Sequence, residues 1–308
     1  MGVNLYKDIN LGSPDLFCSW PGIGNVGLIA VDTLRGLLKA EELGELDPFN
    51  FFEPRKVVIR EGLLKELYFP ANKFYYSRTL MRDLMFFVGE EQPSDGEKMY
   101  ARGEKAYQLA SQVLEVAQKF GCRRIITSGA CVAPAHHENK PRVVAVASSE
   151  PLLKEIKKYP NVVPMNEVGE GSSEGVITGL NGLLLAVAKK KGIDALCLMG
   201  EIPDWLARVP FPYPRASKSV LEVMSALLNV DLTFDALDKH IEKIDKVVTS
   251  IYEKFPEDVK KVYEQRKSLD QPGPISKEEA EWMKENLDEF LSSLADQEGG
   301  DDDEDRPV

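Results

Sequence analysis

Between Leu16 and Leu38 an apolar run gives way to three glycines and then to apolar residues at helical spacing, and this succession leaves few folds open. Residues 16–20 have the look of a buried strand. After the turn Ser19-Trp20-Pro21-Gly22-Ile23-Gly24-Asn25-Val26-Gly27, the residues Leu28, Val31, Leu34, Leu37 and Leu38 define one helical face. Glycine lets the backbone reverse where a side chain would clash, and it leaves N–H groups bare at a helix N-terminus. Such a turn either holds an anion or lets a helix pack tightly on a sheet.

The alternation continues to about residue 230. Further strands are expected at 55–60, 63–68, 73–76, 83–88, 124–127, 142–147, 162–163 and 195–199, with a polar connection at 41–47 that has room for a short one. Helices are expected at 97–120, 150–159, 176–191 and 215–228. Several of the strands are apolar without alternation, as befits strands covered on both faces. The pattern implies an α/β fold, a mostly parallel sheet between helical layers. Three strands finish at a glycine, in Val88-Gly89, Ser128-Gly129 and Met199-Gly200. In a parallel sheet the carboxyl ends open toward one edge, where a ligand crevice forms. The glycine turn and these three tips are therefore expected along a single rim.

From Leu232 only helical signals remain, at 234–255 and 257–268. A Pro-Gly-Pro break at 272–274 and the capping box Ser276-Lys277-Glu278-Glu279 then open a last helix to about residue 294. The expected organisation is an α/β domain over 1–230, a helical extension over 231–296 and a disordered acidic tail over 297–308.

Net charge is −12 over 308 residues, which counts against general nucleic-acid or anionic-membrane binding. Part of it is local, in Asp301-Asp302-Asp303-Glu304-Asp305. The four cysteines form no CxxC pair and read as reduced core residues of an intracellular protein. With no signal peptide and no run of membrane-spanning length, a soluble cytoplasmic protein is expected.

Gly22-x-Gly24-x-x-Gly27 matches the dinucleotide fingerprint in form, but a ribose-binding acid has only Glu45 or Asp47 in a poorly strand-like segment to draw on. Dinucleotide binding, small-anion binding and tight packing all remain open for it. Asn25 either meets a ligand or stabilises the turn. Glu201, beside Gly200, either anchors a ligand or accepts loop N–H groups, and Glu90 holds the equivalent place after Gly89. Arg215 and Lys218 open a helix after a proline-rich loop. Cations there oppose the helix dipole, so an anion, Glu201 or acids of another subunit should neutralise them. The candidate ligand-binding set is Gly22, Gly24, Asn25, Gly27, Gly129, Gly200, Glu201, Arg215 and Lys218. His136-His137-Glu138, with Cys131 upstream, lacks the spacing of a metal site and is expected to be a solvated loop. With no G-x-S-x-G elbow, Walker A motif or zinc pattern, no catalytic residue, metal or cofactor is expected.

Five blocks in order resemble the proteasome assembly chaperone family, of the second-chaperone type with archaeal and bacterial relatives. They are residues 21–27, Arg124-Ile125-Ile126-Thr127-Ser128-Gly129, Gly179-Leu180-Asn181-Gly182-Leu183-Leu184-Leu185, Leu198-Met199-Gly200-Glu201-Ile202-Pro203, and Pro214-Arg215-Ala216-Ser217-Lys218-Ser219-Val220-Leu221. The resemblance implies a three-layer α/β/α domain similar to bacterial nucleoside phosphorylases. It also implies a homo-oligomer, such as a trimer or tetramer. Some relatives bind proteasome α subunits through a hydrophobic-Tyr-any tail. This sequence ends Asp305-Arg306-Pro307-Val308, so docking on a proteasome subunit by that route is not expected. Some relatives carry an ATP-grasp or carboxylate-amine ligase label, for which no residue set stands here. The leading expectation is a non-catalytic oligomer acting by protein–protein contact. The alternative is an enzyme or sensor that binds a nucleoside, nucleotide or phosphate-like anion at the strand ends.

Overall fold

Leu16, Phe17 and Cys18 are all fully buried, as a strand covered on both faces requires. The computed structural model describes residues 2–93, 101–168, 175–267 and Glu281. Along the chain lie β1 (Val3–Leu5), β2 (Asp15–Ser19), α1 (Val26–Leu37), β3 (Glu41–Leu46), β4 (Lys56–Arg60), β5 (Leu63–Tyr68), β6 (Asn72–Arg78) and β7 (Asp83–Gly89). They are followed by α2 (Gly103–Lys119), β8 (Arg124–Ala133), β9 (Val143–Ala147), α3 (Glu150–Ile156), β10 (Val162–Pro164), α4 (Gly179–Lys190), β11 (Asp194–Pro203), α5 (Pro214–Leu228), α6 (Asp235–Glu253) and α7 (Glu257–Lys267).

One nine-stranded sheet runs in the order β1-β3-β6-β7-β2-β8-β11-β9-β10, and β4 pairs with β5 in a separate hairpin. The central strands β7, β2, β8 and β11 are parallel, as the strand–helix alternation predicts. On one side β6, β3 and β1 follow antiparallel, and on the other β9 runs antiparallel to β11. Alternate strand residues feed two cores, because successive side chains point to opposite faces. Phe17, Phe86, Ile126, Leu196 and Leu198 pack with α1, α3, α5, α6 and α7. Leu16, Cys18, Met85, Phe87, Ile125 and Cys197 pack with α2 and α4. The result is a three-layer α/β/α arrangement.

Three differences from the sequence reading have local causes. The polar segment after α1 is a full strand, β3, whose Leu43 and Leu46 are buried against the sheet. Strands β8 and β11 do not stop at Gly129 and Gly200. They pair residue for residue from Arg124↔Asp194 to Ala133↔Pro203, so each carries the other past the sheet as a two-stranded ribbon. Helix α4 begins at Gly179 rather than at residue 176. Residues 97–100 of the expected second helix, 169–174 of the second glycine-rich stretch, the break at 272–274, the last helix and the acidic tail lie outside the described residues, apart from Glu281. Helices α6 and α7 fold back on the body, with Leu237, Val248, Tyr252, Phe255, Val259 and Tyr263 buried in the same core as α1 and α5.

Candidate site at the carboxyl edge of the sheet

The glycine turn and the three later glycines meet along one rim through close contacts that leave no room for a Cβ. A Cβ on Gly27 would lie 2.2 Å from the Ser128 carbonyl oxygen and 2.7 Å from the Gly129 nitrogen. One on Gly200 would lie 2.7 Å from the Ala216 carbonyl oxygen and 3.0 Å from Val26. On Gly129 it would reach Asn181 Nδ2 at 2.9 Å, and on Gly89 the Trp20 ring at 2.4 Å. Helix α1 thus lies directly on β8 at Ser128-Gly129, with its first residue, Val26, against Gly200 of β11. Within the turn Gly24 and Asn25 both have positive φ, at 56° and 48°. Asn25 Oδ1 accepts from the Gly22 N–H at 3.4 Å, which is the turn-stabilising role. Asn181 Nδ2 donates to the Ser128 carbonyl at 2.8 Å and ties α4 to the same corner.

The candidate residues that line recesses at this edge do not share one pocket. Gly22, Gly27 and Gly129 line a recess of about 100 Å³ with Trp20, Gln92 and Asn181. Gly24 and Asn25 line another of about 350 Å³ against residues 207–211. Glu201 lines a third of about 230 Å³ with His136, Arg142, Tyr213 and Lys267. Ligand pockets for small molecules usually span roughly 300–1,000 Å³ lined by convergent polar groups. The first and third recesses fall below that range, and the second brings no charged candidate residue to its wall.

The charged candidates are already matched within the chain. Glu201 is 3% exposed and takes a two-pronged clasp from Arg142, with Nε at 2.8 Å and Nη2 at 2.6 Å. The Arg142 backbone N–H adds a third bond to it at 3.1 Å. Arg215 bonds Asp245 at 2.5 Å and Lys218 bonds Asp238 at 2.5 Å. Both acids lie on α6, so the helix extension, rather than Glu201 or a second subunit, neutralises the start of α5. Sequence reasoning assigns no role to Asn181 or Arg142. The available signal for Asn181 is a lone amide between glycines on an otherwise apolar helix face; Arg142, 59 residues from Glu201, gives none.

His136 and His137 overturn the expectation of a solvated loop. They are 1% and 5% exposed, and their rings lie 4.3 Å apart. The cause is the return of α6 and α7 over them: Tyr252 sits 4.4 Å from His137, Trp205 is edge-on at 6.0 Å, and Tyr263 bonds buried Asp204 at 2.8 Å. Among the described residues no group of His, Cys, Asp and Glu could hold a metal ion. Burial pushes His137 down to about 4, helped by His136. His136 is lowered too, chiefly by burial, against the pull of Glu264 and Glu138. The folded state therefore binds fewer protons than the unfolded chain between about pH 6.5 and pH 4. Stability is complete above that window and is lost as pH falls through it, by about 3 kcal/mol for His137 at most. Urea denaturation midpoints across the window should follow this slope, and His137→Phe should flatten it. An equal slope in both proteins would contradict the burial.

All four cysteines are free, and burial raises the thiols of Cys122 and Cys197 to about 12 and that of Cys131 to about 11. None is a thiolate nucleophile near neutral pH.

The chain is similar to the uncharacterized protein MJ1210 of Methanocaldococcus jannaschii, 27% identical over 85% of this chain and 89% of that protein. Among solved structures it resembles Pyrococcus furiosus PbaB, an archaeal proteasome activator, with 26% identity, a TM-score of 0.67, and coverage of 81% of this chain and 97% of that one. It shares its fold with Pyrococcus furiosus PbaA, an archaeal homolog of proteasome-assembly chaperone. There the identity is 22%, the TM-score 0.59, and the coverage 80% and 94%. The PAC2 family model matches residues 16–251, which takes in the sheet apart from its edge strand β1, the rim and nearly all of α6. The chain belongs to the PAC2 family.

Proposed function

We propose that this chain is a non-catalytic, homo-oligomeric protein of assembly-chaperone type that works through protein–protein contact, with a partner in the proteasome system. The observation that carries the reading is the internal pairing of the charged candidate residues. Glu201, Arg215 and Lys218 each hold an ion-pair partner from the chain itself, and Gly24, Gly27, Gly129 and Gly200, though not Gly22, meet backbone or side-chain atoms where a Cβ would lie. A site built for a charged small molecule leaves convergent polar groups for it. The kinship with PbaB supports the choice of partner. Four free thiols support a reducing, cytoplasmic setting, and among the described residues no helix is long and apolar enough to cross a membrane.

The test mixes the full chain with purified proteasome subunits, and separately with assembled proteasome, from the same cells. Co-elution at a fixed stoichiometry is expected with one of the two. Separate elution of both at concentrations well above cellular levels would overturn the proposed partner.

A further inference from the structure

Strands β4 and β5 stand apart from the main sheet and pair only with each other. Every residue of β5 and all but Val58 of β4 are exposed. A lone two-stranded hairpin is marginal in water unless one face is covered. Its register sets Val57 opposite Leu67 and Ile59 opposite Leu64, with Lys65 the extra residue of a bulge. Those four side chains make one wholly apolar face, between 44% and 72% exposed. The other face is mixed, pairing Lys56 with Tyr68, Val58 with Glu66 and Arg60 with Leu63. Arg55 fixes the base of the hairpin to the sheet rim through Glu90 and Glu91.

We infer that this hairpin is a self-association arm, laying its apolar face on the same face of a second copy of the chain; the inference rests on the homo-oligomeric part of the reading above. Area is the first reason. The four side chains of that face present roughly 400 Å² of apolar residue surface, within the range of the largest patch on a monomer. Two such faces together remove roughly 800 Å², the size of a weak, reversible contact rather than of a permanent one. Charge is the second. Residues 53–68 carry four cations (Arg55, Lys56, Arg60, Lys65) and three carboxylates (Glu53, Glu61, Glu66), in a chain of net charge −12. In a chain of net negative charge, copies approach most readily where the local charge is balanced. The third is the lack of a better match. Among the described residues the other exposed large apolar side chains, such as Tyr6, Leu37, Tyr107, Val176 and Val247, are scattered. Leu80 and Met81 lie together, but in the turn at the far end of β6. A face meeting its own copy across a two-fold axis is the simplest closed solution.

The experiment measures the mass of the full chain by light scattering after gel filtration, from about 1 to about 100 μM, the range of moderate affinities. Wild type, Ile59→Lys/Leu64→Lys and the control Leu80→Lys/Met81→Lys are compared. Wild type and control should run at a multiple of 34.4 kDa, and the hairpin variant should lose the hairpin-mediated doubling. Circular dichroism should be the same for all three, since the altered side chains are exposed. Hydrogen exchange of the wild type gives a second readout that needs no variant: amides of residues 56–68 should gain protection as concentration rises. If wild type is multimeric, and the variant keeps its mass or exchange is independent of concentration, the hairpin inference is overturned and the oligomeric reading stands. A wild type that is a single chain throughout overturns both, even if the hairpin then binds a proteasome subunit.

Discussion

Gly27→Ala is expected to destabilise the chain by about 3–5 kcal/mol, enough to leave much of it unfolded at moderate temperature. The added methyl would sit 2.2 Å from one backbone atom of Ser128 and 2.3 Å from another, and backbone in the middle of a sheet has nowhere to move. Helix α1 must then lift from β8, opening the contacts of Val26, Ala30 and Val31 with the core. The better helix propensity of alanine, about 1 kcal/mol, offsets only a small part of this. Gly36, near the other end of the same helix, has nothing within 4 Å of its would-be Cβ. Gly36→Ala should therefore stabilise by about 0.5–1 kcal/mol. Equilibrium denaturation of both variants reads the contrast. Equal effects at the two positions would mean that the turn does not press α1 onto β8.

Arg142→Met is expected to cost about 3–5 kcal/mol, because it strands a buried carboxylate. Glu201 would keep only the backbone N–H of residue 142 at 3.1 Å and lose both guanidinium bonds. The double variant Arg142→Met/Glu201→Met replaces the pair with apolar groups and should recover most of that loss, since neither charge then remains unmatched. A double-variant cycle by urea denaturation gives the coupling directly. Coupling near zero would show that the pair is not an internal clamp and would reopen Glu201 as a ligand anchor.

The two-sided strands were legible in the sequence because burial on both faces demands uninterrupted apolar runs, as in residues 84–88 and 195–199. The glycine corners were legible too, since close backbone approach and glycine go together. What the sequence hid depends on partners distant along the chain. Strand β3 is half polar because it lies near the sheet edge, and only its pairing with β1 and β6 marks it as a strand. The tips of β8 and β11 persist because each supplies the other's ladder. His136 and His137 look solvent-bound in a stretch of polar residues until α6 and α7, more than a hundred residues later, cover them. The neutralising role of Asp238 and Asp245 was hidden for the same reason: local sequence does not say which helix crosses the start of α5.

The central claim is that the charged candidate residues, Glu201, Arg215 and Lys218, are paired by the chain's own residues, so that function is carried by protein contact. Thermal unfolding of the full chain with nucleosides, nucleotides and inorganic phosphate tests it most directly, because any ligand that binds only the folded state raises the melting temperature by mass action. No saturable rise with any of them is predicted. A saturable rise with one of them, abolished by Glu201→Gln in a protein that still folds, would contradict the account and make the carboxyl edge a small-molecule site.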